Sequence, residues 1–146
     1  MAVSNIEKFD DMVGKMFAQL YLSFPVPHAL PAEDFMEAAT RPHDTYEIDL
    51  PTDDAEFFIA TAQWLVKSGF IYGTPRHYTH VEGAVLTAKG LEVLHATPNS
   101  LDTGPSIGAR MADAAKAGGK ETLRSLVTEA LSLGVKLVSP IVGITP

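Results

Sequence analysis

A chain of 146 residues with 46% hydrophobic and 20% charged residues has the make-up of one cored globular domain with an appendage. Its eighteen acidic residues outweigh eleven Lys and Arg, and the resulting formal charge of −7 disfavours non-specific binding to nucleic-acid phosphates. The absence of cysteine excludes disulfides, thiolate metal centres and a thiol nucleophile.

No basic stretch followed by an apolar run opens the chain, so no secretory signal is read and the expected compartment is the cytoplasm of a bacterial-type cell. Ile6, Phe9, Val13, Met16, Phe17, Leu20 and Phe24 recur at helical spacing and predict an amphipathic first helix, which Pro25 and Pro27 end. Pro31, with Glu33 and Asp34 behind it, predicts a second helix that buries Phe35, Met36 and Ala39 and stops at Arg41-Pro42. The alternation of Tyr46, Ile48 and Leu50 with Glu47 and Asp49 predicts a short strand with one wet face.

Asp53 and Glu56 have capping-box spacing and start a third helix. Its Phe57, Phe58, Ile59, Ala62, Trp64, Leu65 and Val66 fill more than one stripe, so the helix is expected to be buried on most sides, with Gly69 ending it in the left-handed conformation. Phe70-Ile71-Tyr72 and Ala84-Val85-Leu86 predict two short strands around Gly73-Thr74-Pro75 and Glu82-Gly83. Thr87 is a good N-cap for a following short helix, with Leu86 and Leu91 at the staple positions.

Composition changes after Ala96. Residues 1–99 carry six Lys/Arg against fourteen Asp/Glu, whereas 100–146 carry five against four. The expected organisation is a domain over 1–96, a linker over 97–106 and an apolar helical tail over 107–146. In the tail, Gly118-Gly119 should separate a small-residue helix from one with the stripe Leu123, Leu126, Val127, Ala130, Leu133 and Leu137. That stripe is the candidate protein-interaction surface, with three possible destinations: its own domain, another subunit or partner, or a membrane surface. Arg124, Glu129, Lys136 and Pro140 interrupt any transmembrane span.

The helix–hairpin–helix order, and most of all Trp64-Leu65-x-x-x-Gly69-Phe70-Ile71 joined to Leu86-Thr87-x-Lys89-Gly90-Leu91-x-x-Leu94, resembles the C-terminal half of winged-helix domains. The resemblance implies an α+β, mainly helical fold with a small β-hairpin wing, followed here by a C-terminal helical extension. It further implies that the third helix and wing could touch DNA, through Lys67, Arg76, His77 and His80. The polar side of that helix, however, carries Asp53, Glu56, Ala60, Gln63 and Lys67, two acids to one base.

Other chemistry is weakly supported. His77, His80 and Glu82 are too few for zinc, and the acidic group Asp49, Asp53, Asp54 and Glu56 lacks calcium-loop spacing. Gly118-Gly119-Lys120-Glu121-Thr122 departs from the phosphate-loop pattern at Ala114 and Glu121, and no serine sits in a nucleophile elbow. The expectation is a non-enzymatic, cofactor-free interaction or assembly module. The alternatives are a DNA-binding regulator dimerising through its tail and an accessory protein with a membrane-surface tail.

Overall fold

The computed structural model describes residues 4–98 and 103–144, with side chains described through Leu137. Helix α1 (Asn5–Ser23) is capped by Ser4, whose hydroxyl accepts the Glu7 amide at 3.1 Å. It buries Met12, Val13, Met16, Phe17 and Leu20, the face its periodicity predicted.

The expected second helix does not form. Residues His28–Pro31 make strand β1, and Ala32–Asp34 make a single 3-10 turn. The physical reason is sheet pairing that holds both ends of the segment extended: Pro31 lies opposite His80 on a strand far along the chain, and Thr40 and Arg41 lie opposite Pro51 and Leu50. Strands β2 (Thr40–Pro42) and β3 (Asp49–Pro51) then pair as a separate antiparallel hairpin. The strand expected over Tyr46–Leu50 is thus shorter and shifted. Tyr46 lies in the connecting loop, where the Thr45 and Tyr46 amides donate to His43 Nδ1 at 2.9 and 3.1 Å.

Helix α2 (Asp53–Lys67) is capped by Thr52 rather than Asp53, because the Thr52 hydroxyl accepts the Ala55 amide at 3.2 Å. Ala55, Phe58, Ile59, Ala62 and Leu65 are buried, but Glu56, Ala60, Gln63 and Trp64 are exposed. Burial on most sides was therefore too broad an expectation: one side of α2 is open. Gly69 follows with φ +81°.

Strands β4 (Ile71–Arg76) and β5 (His80–Leu86) form an antiparallel hairpin, and β1 pairs with the other side of β5, giving the order β1-β5-β4. Both strands run beyond the predicted segments, taking in Gly73-Thr74-Pro75 and Glu82-Gly83, and the turn itself falls at His77-Tyr78. Gly73 instead sits where the register slips between Tyr72 and Thr74, and Pro75 is tolerated because β4 is an edge strand. Thr87 caps α3 (Ala88–His95) by accepting the Gly90 amide at 3.0 Å, while its hydroxyl donates to the Gly69 carbonyl at 2.5 Å. One side chain thereby joins the end of α2 to the start of α3.

Two further helices follow, α4 (Ile107–Ala117) and α5 (Lys120–Ile144), separated at Gly118-Gly119 as the sequence predicts. The Ile107 amide donates to the Ala96 carbonyl at 2.8 Å, which brings the two ends of the segment between α3 and α4 together. Both helices pack on α1 and on each other, and their buried residues belong to the same apolar cluster as α1, α2, α3 and the sheet. The architecture is α+β and mainly helical. Among the described residues, no helix is long and apolar enough to cross a membrane.

Candidate functional site

Two surfaces were singled out by the sequence, and the structure treats them differently. In the tail, Leu123, Leu126, Val127 and Ala130 are buried in the core cluster, while Leu133 and Leu137 are half-buried against it. The inner side of the stripe is therefore occupied by the chain's own helices, and those four side chains do not face outward.

A polar clamp reinforces this docking. Arg124 on α5 donates from Nε and Nη2 to the two carboxylate oxygens of Asp11, both at 3.0 Å, and from Nη1 to Glu7 at 2.7 Å. The fork-to-carboxylate geometry holds both orientation and distance. Hydrogen bonding to Asp11 raises the Arg124 pKa above its ordinary value, so the guanidinium stays charged. Burial raises the carboxyl pKa of nearby Asp10, an effect that Arg124 partly offsets and Asp11 adds to.

On the β4–β5 hairpin, His77 and Tyr78 are the two central residues of the turn, with φ +47° and +63°, and the Thr79 amide donates to the Arg76 carbonyl at 2.9 Å. Two positive φ values make a primed turn, which suits hairpin twist but favours Asn and Gly. A tyrosine there is strained, at a cost of about 1–3 kcal/mol. The turn carries both side chains at the exposed tip.

Of the four residues expected to touch DNA, two are engaged within the hairpin. Arg76 donates to Glu82 at 2.7 Å on the neighbouring strand, and the His80 ring nitrogen Nδ1 lies 2.9 Å from the Thr79 hydroxyl. The neighbouring base Lys89, at the start of α3, is also engaged: it donates to the Ser68 carbonyl at 2.7 Å and sits 4.4 Å from the centre of the Phe70 ring. Lys67 and His77 are exposed. The structure brings Arg76, His77 and His80 together on the hairpin, while Lys67 stands at the far end of α2 from Glu56.

Between the open side of α2 and the hairpin tip lies a groove of about 460 Å³. Ile59, Ala60 and Pro75 supply apolar surface, Glu56 and Gln63 supply polar groups, and His77 and Tyr78 form the hairpin wall. Nine acidic residues between Glu33 and Glu56 are all exposed, against the single base Arg41. Asp54 is paired with Lys8 at 2.5 Å, whereas Glu56 has no ion-pair partner among the described residues. Glu56, Ala60 and Gln63 were already legible as the polar side of α2. Tyr78 and Pro75 were missed, because the turn lacks Asn-Gly chemistry and β5 begins at His80, ahead of Gly83. Among the described residues no three His, Asp or Glu side chains are gathered closely enough to hold a metal ion. Comparison with protein-family models, with curated proteins and with solved structures gave no match.

Proposed function

We propose that this chain is a non-enzymatic protein-interaction module of winged-helix type, working in the cytoplasm, whose contact surface is the α2–hairpin face. One observation carries the reading: this face presents exposed Glu56 and Tyr78 around a groove of mixed polar and apolar lining, while its Arg76 is already paired with Glu82. Phosphate recognition draws on free Lys and Arg, and a helix-turn-helix reader also uses a preceding helix to cross the backbone. Here the residues expected to form that preceding helix make one 3-10 turn, Ala32–Asp34, and run into strand β2 instead. Protein contacts, by contrast, favour exposed aromatic anchors with a polar rim.

The test is site-directed photo-crosslinking in the native host. A photoreactive residue at position 60, within the groove, should yield protein adducts that one at position 116 on α4 does not. Nuclease-sensitive adducts at position 60, with sequence-selective DNA binding that persists at about 150 mM salt, would instead establish the DNA-binding reading.

A further inference from the structure

We propose that the α2–hairpin groove receives the side chain of a lysine or arginine carried by a basic segment of a partner protein. This rests on the protein-interaction reading above and names the chemistry of its ligand.

The groove has the two ends that such a side chain requires. Lys and Arg have aliphatic stems that prefer apolar surface and charged heads that prefer water or a carboxylate. Ile59, Ala60 and Pro75 form the apolar surface, with Ile59 only 5% exposed and so fixed by the core beneath it. The Tyr78 ring, 45% exposed, offers a wall whose face attracts cations. Glu56 supplies the counter-charge, free of any ion pair among the described residues, and the Gln63 amide supplies a further acceptor.

Charge complementarity selects the occupant. Glu56 is the acid that lines the groove, and it lies on a chain whose residues 1–99 carry fourteen Asp/Glu against six Lys/Arg, so the wider field draws cationic segments and repels phosphates. A neutral apolar side chain would fill the floor but leave Glu56 unanswered. An acidic or nucleic-acid ligand would meet like charge. The positive φ of Tyr78 fits the same picture, because the turn places this side chain at the groove without any ligand bound.

The experiment is fluorescence anisotropy on the full chain with four labelled peptides. Each places three identical residues, Arg, Lys, Glu or norleucine, in one Gly-Ala scaffold, and a 20-base-pair DNA duplex serves as the fifth probe. The Arg and Lys peptides should bind, and the Glu peptide, the norleucine peptide and the duplex should bind far more weakly. Glu56→Gln should weaken the cationic peptides about threefold to fivefold, the effect of one exposed ion pair. Tyr78→Asn, which keeps a residue tolerant of the left-handed turn, should weaken them to a similar degree. Glu47→Gln removes the same charge from the acidic stretch outside the groove and should have a smaller effect. Circular dichroism checks that each variant is folded, and amide shifts at Ala60 and Gln63 on titration give a second readout.

Equal losses from Glu47→Gln and Glu56→Gln, or amide shifts elsewhere than α2 and the hairpin, would overturn the proposal in favour of diffuse charge attraction. If position 60 crosslinks a protein while no cationic peptide binds, the ligand assignment falls and the interaction reading stands. If the duplex binds best and no protein adduct forms, both fall.

Discussion

Arg124 and Asp11 stand 113 residues apart in the chain and meet through two parallel hydrogen bonds of 3.0 Å. Glu7 shares the same guanidinium at 2.7 Å, so one arginine on α5 holds two successive turns of α1. The contact sits at the margin of the apolar seam between the helices, with Arg124 and Asp11 each about one-fifth exposed. It makes the attachment of the tail directional as well as apolar.

Arg124→Met should lower the melting temperature, and so should Asp11→Asn. The double variant should lose less than the sum of the two, because each single change already abolishes the same bidentate contact. Strict additivity in thermal melts would show that the clamp contributes nothing as a pair.

The seam beneath the clamp is steric. A Cβ built on Gly14 of α1 would lie 2.5 Å from Leu123 Cγ, so the two helices approach where a side chain is missing. Gly14→Val should destabilise by about 1–3 kcal/mol through overpacking, and Leu123→Ala by about 2–5 kcal/mol through the cavity it leaves. Gly14→Ala combined with Leu123→Ala should be milder than Leu123→Ala alone. Denaturant melts of the four proteins decide the point.

Leu126 is 7% exposed and Leu133 half-buried, both against the chain's own core. Aspartate at both positions should therefore lower thermal stability while the mass by light scattering stays unchanged. A change of mass at constant stability would return the stripe to the role of a subunit interface.

Leu65 and Trp64 are neighbours on α2 with opposite environments, 0% and 45% exposed. Leu65→Ala should cost about 2–5 kcal/mol, and Trp64→Ala clearly less. The tryptophan still packs edge-on against Phe9 at 5.3 Å and stacks on Phe70 at 6.2 Å, so its loss should remain measurable by chemical denaturation.

Burial raises the folded-state pKa of Asp10 above its ordinary 3.8. For an acid with a raised folded value, the favourable contribution is present at low pH and is lost as pH rises from the ordinary carboxylate range through the raised value. At pH 7 the charged carboxylate thus opposes folding. Asp10→Asn should raise the melting temperature at pH 7 and leave it nearly unchanged at pH 3.

Much of the local structure was legible because its causes are local. Thr87 followed by Gly90, Gly69 after Leu65, and Gly118-Gly119 between two periodic runs act through backbone groups within a few residues, so spacing alone reveals them. The segment from Pro31 to Leu50 misled for the complementary reason. Its helix-like pattern of Pro31, Phe35 and Ala39 lost to strand pairing at both ends, Pro31 with His80 and Arg41 with Leu50, and the first of these partners is too far along the chain for a local pattern to reveal. The hairpin turn was hidden similarly, since His77-Tyr78 lacks the Asn-Gly chemistry by which such turns are recognised.

The amino-acid sequence by itself determined the fold class, the helical periodicity of α1 and the tail, the break at Gly118-Gly119 and the acidic character of residues 1–99, because periodicity, capping and charge are short-range or additive properties. Tertiary structure alone decided where the tail's stripe goes. An apolar stripe specifies that something must cover it but not what, and here the absence of a side chain at Gly14 and the carboxylates of Glu7 and Asp11 select α1. The candidate groove is likewise a tertiary product: Glu56 and Tyr78 both line it because α2 packs on β4 and the β4–β5 turn carries the tyrosine.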